Sequence, residues 1–462
     1  MAYDNRDNID FENGDIRRLF RSLFIPTLLG MLFNIAFVLT DGIFVGHGIG
    51  GAGLASINLI APIMMLVNGV GAMLGIGASV VASIHLSQKN NKAARINITQ
   101  SFWVALIIGI LLGTVLYAFP NTVMHLLGVS STLHDITREY YLWFIPTCLL
   151  LLVETLGMYV IRLDGSPNFA MMSNIIPAIT NIVLDYVFIF PCGWGLMGAA
   201  LATDIGGLVG VVMVGYYMLF KSKTLKPYRL KFTITSLRLS IRNVGYMVKI
   251  GFSGLLGEIA ISVMMLMGNW MFATKIGDDG VAAYSVVCYL FPLMYMVYLA
   301  ISQSAQPIIS YNFGLRNKQR VKAMLRFALT TAGLCGLIIG SVLMIASPVV
   351  VSAFLDHDAP AFNLASQGLV LFAIGFLFSG LNICAIGYFQ SVEQSRIASM
   401  LMVIRGIILP VICFLLLPQW FGISGLWLAI PVSEFITLLI QPIMFRLHRW
   451  DNPSNKTITL TP

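Results

Sequence analysis

The sequence predicts an all-α integral membrane protein: twelve transmembrane helices in two homologous six-helix bundles, related by a parallel pseudo-two-fold axis. The first observation behind this prediction is composition, since 58% of the 462 residues are hydrophobic and only 10% are charged. A soluble chain carries about 25% charged residues. The second is a succession of long apolar runs separated by short polar loops, and the third is an internal repeat. No long polar stretch remains to form a domain outside the membrane.

Twelve apolar runs are each long enough to cross the hydrocarbon core, which takes about 20 helical residues. The predicted spans are 18–46, 54–86, 96–120, 137–162, 168–190, 196–220, 243–274, 281–311, 322–350, 362–389, 396–418 and 424–446. The short alternating pattern of an outer-membrane strand is absent, which excludes that class. The first fifteen residues contain five acidic side chains and no apolar core. We therefore expect them to form a solvated tail and not a signal peptide.

Basic residues concentrate in alternate loops, and this bias predicts the orientation of the chain. The loops on one side carry Arg17, Arg18, Arg21, Lys89, Lys92, Arg95, Arg162, Arg316, Lys318, Arg320, Lys322, Arg326 and the basic stretch 221–242. The loops on the other side have only Arg138 and Lys275 against five aspartates. Both termini are therefore expected in the cytoplasm. The net charge of +8 follows from this bias, so no nucleic-acid partner is expected. Contact of the basic loops with phospholipid headgroups is a further interpretation.

Three pairs of segments match in the same order at an offset of 227–228 residues. They are DGIFVGHGIGGAGLAS with NWMFATKIGDDGVAAYS, QKNNKAAR with LRNKQRVKA, and WGLMGAALA with FGISGLWLA. An offset that spans six helices gives both halves the same orientation in the membrane. We therefore predict an N-terminal lobe at residues 1–220, a basic cytoplasmic linker at 221–242 and a C-terminal lobe at 243–462. Two such lobes usually enclose a central cavity that opens to alternate sides.

Several stretches resemble the multidrug and toxic compound extrusion (MATE) family. They are RLDGSPNFAMMSNIIPAITNIVLDYVFIF followed by GWGLMGAALAT, TDGIFVGHGIGGAGLAS in the first span, and QSAQPIISYNFG at the end of the eighth. The resemblance covers about residues 15–447 and is greatest to the MepA-like bacterial branch. It implies a secondary active multidrug efflux transporter that exports lipophilic or cationic compounds by antiport with H⁺ or Na⁺. It also implies a multi-pass protein of the bacterial cytoplasmic (inner) membrane, monomeric in the bilayer, with no enzymatic activity and no cofactor beyond the coupling ion.

Four polar side chains of the first half are predicted at one depth, in the outer half of the membrane. Asp41 lies in the first span, Asn181 and Asp185 lie one turn apart in the fifth, and Thr203 lies in the sixth. An ionisable group at such depth costs at least about 2.5–3.5 kcal/mol, which makes it a functional candidate. Carboxylate, amide and hydroxyl oxygens suit a proton or a hard cation such as Na⁺. The resemblance implies that these four residues form the cation-coupling site. The alternative is that they only hydrogen-bond neighbouring helices together.

The second half lacks a copy of this set, because Ile408 and Ile412 occupy the repeat positions of the fifth-span pair. The seventh span instead carries Glu258, predicted near mid-membrane. Three roles are open for Glu258: neutralising a cationic substrate, relaying a proton, or pairing with Arg405. Arg405 is the one arginine placed deep within a predicted span.

Five further side chains complete the candidates. Asn34 shares a helical face with Asp41, seven residues later, and is a candidate to line the cavity. Pro26 is a predicted hinge of the first span, since a proline in a helix removes a backbone bond and allows a kink. Glu154 and Asp204 are candidate relays, and Glu434 is predicted to hold helices together.

Two other functional classes remain as alternatives. A lipid-linked oligosaccharide flippase of the related superfamily needs several basic residues in its cavity, whereas only Arg405 lies deep in a predicted span. An intramembrane enzyme needs a metal cluster or a nucleophile with a base, but all six histidines fall at span ends or in loops. The chain has no G-x-x-x-x-G-K-[ST] loop for ATP. The sequence therefore favours an ion-driven transporter.

Overall fold

The computed structural model describes residues 9–230 and 233–447 and builds them from membrane-spanning helices α1–α12. Their bounds are α1 Ile16–Gly48, α2 Gly51–Ser87, α3 Asn91–Ala118, α4 His134–Leu163, α5 Pro167–Ile189, α6 Gly195–Tyr216, α7 Ile234–Lys275, α8 Asp278–Gly314, α9 Lys318–Ile345, α10 Pro360–Ala373 with Gly375–Ser391, α11 395–421 and α12 423–446. Short helices Pro120–Leu126 and Ser347–Ser352 lie in the loops after α3 and α9.

Local backbone geometry bends one span and separates two others. The two parts of α10 meet at an angle of 43°. Helix α11 continues into α12 as one apolar stretch, Ser395–Arg446, but Gly422 has φ 56° and ψ −134°, which is not helical. A residue with such a positive φ ends one helix and starts the next. The prediction of twelve spans is confirmed.

Positive-φ residues recur at the repeat offset, which shows that the two lobes share their loop geometry. The pairs are Gly50 (95°) with Gly277 (90°), Lys89 (61°) with Arg316 (59°), Gly165 (83°) with Glu393 (60°), and Gly195 (57°) with Gly422 (56°). A non-glycine residue in this region is uncommon, so its recurrence at one offset reflects a shared fold. Helices α1–α6 form one lobe and α7–α12 the other.

Helix α7 begins at Ile234, earlier than the predicted residue 243. The Oγ1 atom of Thr233 accepts a hydrogen bond from the backbone N–H of Ser236 at 3.2 Å and caps the first turn. A threonine at this position satisfies a donor that the helix leaves unpaired. The basic segment 221–242 is therefore helical from Ile234 onwards. The side of the molecule that carries this connection is called the linker side below.

The N-terminal residues that precede α1 are packed against the C-terminal lobe. Ile9 and Phe11 are 3% and 5% exposed. The Nδ2 atom of Asn312 donates to the carbonyl of Phe11 at 2.9 Å, and Arg320 donates to the carbonyl of Gly14 at 2.7 Å. The prediction of a solvated tail is wrong for residues 9–15, because the burial of two apolar side chains outweighs the acidic composition. Residues 1–8 lie outside the described residues.

The lobes meet along α2 and α7 and are joined chiefly on the linker side. A Cβ atom on Gly77 or on Gly251 would collide with the facing backbone, so glycine allows these two helices to touch. Near the linker, Nη1 of Arg162 donates to Gln303 at 2.7 Å, and Gln303 donates to the hydroxyl of Tyr159 at 2.8 Å. Among the described hydrogen bonds between the lobes, those farthest from the linker lie near mid-membrane, from Asn68 to Glu258 and from Ser262 to Met65. The lobes are therefore held together by hydrogen bonds on the linker side and near mid-membrane.

Candidate functional site

Helices α1 and α5 bring two aspartates face to face in the N-terminal lobe. Asp185 is completely buried, and its carboxyl group lies close enough to that of Asp41 for the two to interact directly. Among the described residues, no donor reaches either oxygen of Asp185 or Oδ1 of Asp41. An ionised carboxylate accepts hydrogen bonds but donates none. Two such groups in contact therefore require a proton shared between them or a cation bound by both.

Asn181 and Thr203 lie beside this pair. Asn181 is 2% exposed, and its Nδ2 atom donates to the hydroxyl of Thr203 at 3.3 Å. The Thr203 hydroxyl in turn donates to the carbonyl of Ala199 at 3.0 Å. Oδ1 of Asn181 is buried, and no donor reaches it in the described part of the chain. The structure thus brings the four predicted residues together and leaves carboxylate and amide oxygens available to a cation.

Helix α4 adds polar side chains that the sequence analysis did not select. The hydroxyl of Thr147 donates to Asp204 at 2.5 Å. Tyr140, 5% exposed, lies close enough to interact electrostatically with Asp204 and with both aspartates of the pair. The sequence contains a pattern that could have identified them. Tyr140, Thr147 and Glu154 recur every seven residues and so share one face of α4. Of the two residues predicted as relays, Asp204 has Tyr140 as a neighbour in common with the aspartate pair.

A cavity of about 320 Å³ adjoins this cluster and reaches the lobe interface. Its polar lining is Asn34, Asn68, Thr147, Glu154, Asn174, Asn181, Thr203 and Glu258, and its apolar lining includes Phe37, Met64 and Met65. The volume is within the range of about 300–1,000 Å³ for ligand pockets. Asn34 therefore lies where it was predicted, on the wall of a cavity.

Glu258 and Glu154 bring two carboxyl groups to the cavity from different lobes. Glu258 accepts a hydrogen bond from Nδ2 of Asn68 at 3.2 Å, and Thr155 donates to Oδ1 of Asn68 at 3.4 Å. The carboxyl group of Glu154 packs against α6, where a Cβ atom on Gly210 would collide with it. Neither glutamate forms an ion pair with a basic residue of the described chain. The cavity is therefore lined by acidic groups without a compensating cation.

Arg405 does not pair with Glu258, so that predicted alternative is wrong. Its Nη2 atom lies 2.6 Å from Oε1 of Glu434, and its Nε atom donates to Oε2 at 2.9 Å. Asn382 donates to Oε2 of Glu434 at 2.6 Å and accepts a hydrogen bond from Gln441. Arg405 lies in the π-helical turn Ile404–Ile408. Such a turn shifts the face on which a side chain emerges, and here Arg405 is directed towards α12.

Pro26 is buried in the linker-side part of α1, which is helical from Ile16 to Gly48. The structure contains one conformation of α1, and bending at Pro26 stays a prediction. A proline inside a helix leaves one carbonyl without its intrahelical partner. That carbonyl is the place at which bending would start.

The MatE family model matches residues 26–187 and 255–415, one stretch in each lobe. The chain belongs to the MatE family. Among curated relatives it is similar to the multidrug export protein MepA of Staphylococcus saprophyticus, with 22% identity over 440 residues and 95% of each chain covered. It is similar to MepA of Staphylococcus aureus strain NCTC 8325, with 22% identity over 450 residues and 95% of each chain.

Solved structures share the fold across nearly the whole length. One is described as the outward-facing conformation of a multidrug resistance MATE family transporter of the MOP superfamily. It has a TM-score of 0.88 at 21% identity and covers 96% of this chain and 98% of that chain. A MOP superfamily transporter from Pyrococcus furiosus has a TM-score of 0.87 at 20% identity, with 96% and 98% covered. The all-helical, two-lobed MATE architecture is therefore established for this chain.

Proposed function

We propose that this MATE-family protein is a secondary active multidrug efflux transporter that exports lipophilic or cationic compounds by antiport with H⁺ or Na⁺. The observation that carries the proposal is the closeness of the carboxyl groups of Asp41 and Asp185 inside the N-terminal lobe. Two carboxylates this close repel each other unless a proton or a cation neutralises one charge. The net charge of the Asp41–Asp185 pair therefore depends on whether a proton or a cation is bound. The multidrug export role of the MepA relatives supports the same direction of transport.

The coupling ion binds between α1 and α5 in this proposal. Asn181 and Thr203 supply further oxygens, which a metal ion needs and a proton does not. Binding removes the repulsion that separates the two helices, so it favours one arrangement of α1 over another. One charge moving through 100 mV supplies about 2.3 kcal/mol, and one pH unit adds about 1.36 kcal/mol per proton. For one neutral substrate exchanged per proton, together they support a gradient of about several hundredfold, and ATP is not required.

The adjoining cavity accommodates the substrate. Glu154 and Glu258 are acidic groups without a basic partner among the described residues, and a cationic substrate would supply the positive charge that stabilises their ionised form. Aromatic and thioether side chains such as Phe37 and Met64 pack against varied apolar groups. The substrate would touch both lobes, because Glu258 belongs to α7 and the rest of the polar lining to the N-terminal lobe. Its binding is therefore sensitive to how the lobes are arranged.

We place the linker side in the cytoplasm of a bacterial cell, on the evidence of the basic loops. In this orientation the protein is a multi-pass protein of the inner membrane with both termini inside. Cysteine-accessibility labelling of intact cells measures it directly. Labels should reach the loops of His47 and Asp356 from outside and should not reach the linker. Outside labelling of the linker would reverse the orientation.

Transport into proteoliposomes tests the function. Ethidium or a quaternary ammonium compound is supplied, and a proton or a sodium gradient is imposed, one at a time. We expect one of the two gradients to drive transport, and the Asp41→Asn variant to stay at the level of empty liposomes. Substrate movement that is the same with and without either gradient would reject antiport. Unchanged drug tolerance in a sensitised bacterium, with the protein well expressed, would favour the flippase instead.

A further inference from the structure

A groove on the lipid-facing surface of the N-terminal lobe lies between α3 and α6. It has a volume of about 330 Å³, and Val153 of α4 forms part of its floor. Trp103 of α3 and Val214 of α6 line its walls, and Leu219 lines it in the turn that follows α6. Trp103 is 50% exposed and Leu219 is 61% exposed. The groove is therefore an open apolar slot and not a gap closed within the core.

The groove runs from the linker-side surface towards mid-membrane. Its lining on α3 extends from Ile98 to Leu106, which is about 12 Å at 1.5 Å per helical residue. Pro227, from the connection between the lobes, lines its linker-side end. The backbone N–H of Tyr228 donates to the hydroxyl of Thr99 at 2.8 Å and holds this connection against α3. The groove thus has an apolar end in the hydrocarbon and a mouth at the interface.

Two basic residues stand at the mouth. Arg95 lies one turn before Thr99 on α3, and its Nε atom donates to the carbonyl of Lys226 at 2.8 Å. Its guanidinium group lies 5.9 Å from the centre of the Tyr228 ring. Lys226 is exposed and adjoins Pro227. Neither Arg95 nor Lys226 has an acidic partner among the residues that the structure describes. The mouth therefore carries positive charge that no described side chain neutralises.

We propose that this groove binds one anionic phospholipid of the surrounding bilayer, with an acyl chain between α3 and α6 and the phosphate on Arg95 and Lys226. The charges and the apolar slot are arranged as such a lipid requires, since its phosphate lies at the interface and its chain extends into the hydrocarbon. Arginine binds phosphate through two parallel N–H groups, and each basic residue near the surface adds to the attraction for anionic lipid. The bound lipid would also hold the connection between the lobes against α3.

Native mass spectrometry of the full-length protein in detergent tests this proposal. Phosphatidylglycerol and phosphatidylcholine with the same acyl chains are titrated separately. We expect one phosphatidylglycerol to be retained at least tenfold more tightly than phosphatidylcholine. Replacing both basic residues, Arg95→Gln with Lys226→Gln, should weaken phosphatidylglycerol binding by about thirtyfold, at roughly fivefold per charge. Binding of phosphatidylcholine should fall much less, because its quaternary ammonium group offsets the charge of its phosphate.

A second variant tests the groove apart from the charges. Nothing lies within 4 Å of a Cβ atom placed on Gly215, and Gly215 lines the groove. Gly215→Phe should therefore fill the slot without a backbone clash and should abolish tight retention of phosphatidylglycerol. Gly215→Leu makes the same test with a smaller side chain. Gly245→Phe is the matched control, because a Cβ atom there also meets nothing within 4 Å and Gly245 does not line the groove.

The charge variant has its own control on the other lobe. Lys322→Gln with Arg326→Gln removes two exposed charges from α9, the repeat counterpart of α3. Binding should be unchanged in this control. Equal retention of the two lipids by the unmodified protein would overturn the proposal. So would tight phosphatidylglycerol binding that survives the filling of the groove, since that outcome means a headgroup contact without a bound chain.

Discussion

Each lobe contains a close pair of ionisable side chains, and the two pairs are of opposite kinds. In the N-terminal lobe, Asp41 faces Asp185, two groups of the same charge sign. In the C-terminal lobe, Arg405 and Glu434 form a close ion pair that is 5% and 3% exposed. A like-charged pair is stable only with a proton or a cation bound, whereas an opposite pair neutralises itself. In our proposal the N-terminal pair is therefore the one that depends on an ion, whereas the C-terminal pair connects helices directly.

The repeat does not impose this difference, since both lobes have the same helix order. Ile412 stands at the repeat position of Asp185 and is 43% exposed, while the adjacent Cys413 is 4% exposed. The π-helical turn Ile404–Ile408 precedes them in α11, and one additional residue in a turn rotates the side chains that follow. Neither Ile412 nor Cys413 is a carboxylate, so the second lobe has no counterpart of the aspartate pair at either register.

The strongest test of the comparison removes charge from the aspartate pair. We expect Asp41→Asn and Asp185→Asn each to abolish gradient-driven efflux while insertion and thermal stability stay near normal. Asparagine keeps the size and the hydrogen bonds but cannot be charged at any pH. Proteoliposome efflux under the active gradient measures this loss. Asp135→Asn, in an exposed side chain at the start of α4, is the matched control and should transport normally. Normal efflux by Asp41→Asn would remove the pair from the mechanism.

Breaking the Arg405–Glu434 pair should lower the stability of the protein. Glu434→Ala leaves Arg405 buried without its partner, which typically costs about 3–5 kcal/mol. Thermal unfolding in detergent should show a clear loss for this variant. A double variant, Arg405→Met with Glu434→Leu, should recover most of it, because no uncompensated charge remains. Each folded molecule of the double variant should still transport. Loss of transport by a stable double variant would instead assign the pair to the transport cycle.

The neighbours of the aspartate pair should have a smaller effect. We expect Asn181→Ala and Thr203→Ala each to reduce gradient-driven efflux severalfold without abolishing it. The loss should be greater if the ion is Na⁺, since a metal needs these oxygens and a proton does not. The ion concentration for half-maximal transport is the measurement that separates the two cases. Thr180→Ala, an exposed hydroxyl on α5 that donates to Ile176, is a control for loss of a helical hydroxyl.

The least effect on coupling is expected at Glu258. Glu258→Gln keeps an acceptor for the hydrogen bond from Asn68 but removes the carboxyl group that could become charged when a cation binds. Relative resistance to cationic and neutral compounds should shift towards the neutral ones, and the gradient requirement should stay. Competition between ethidium and a set of compounds of different charge measures the change. Equal effects on all compounds, together with a lost response to the gradient, would make Glu258 part of the coupling machinery.

Much of the candidate site follows from the sequence, because a polar residue within an apolar run stands out. Asp41, Asn181, Asp185 and Thr203 were selected on that ground, and the structure places them side by side. Tyr140 and Thr147 were missed, since a tyrosine or a threonine in a span is common and carries no comparable penalty. Their seven-residue spacing with Glu154 was the available signal. Pairing with Arg405, one of the three roles left open for Glu258, is wrong, because the direction in which α11 turns brings Arg405 to Glu434.

The twelve spans and the repeat follow from hydropathy and residue order, because the bilayer requires a helix of a certain length wherever the chain crosses it. No comparable requirement on length or hydropathy determines which helices contact each other. Tertiary packing alone decides that Phe11 is buried against α8, that α7 begins at Ile234 and that Arg405 pairs with Glu434. These contacts join residues far apart in the chain, and their geometry depends on local features such as the π-helical turn in α11. Local sequence periodicity does not determine which helix, distant in the chain, a side chain will contact.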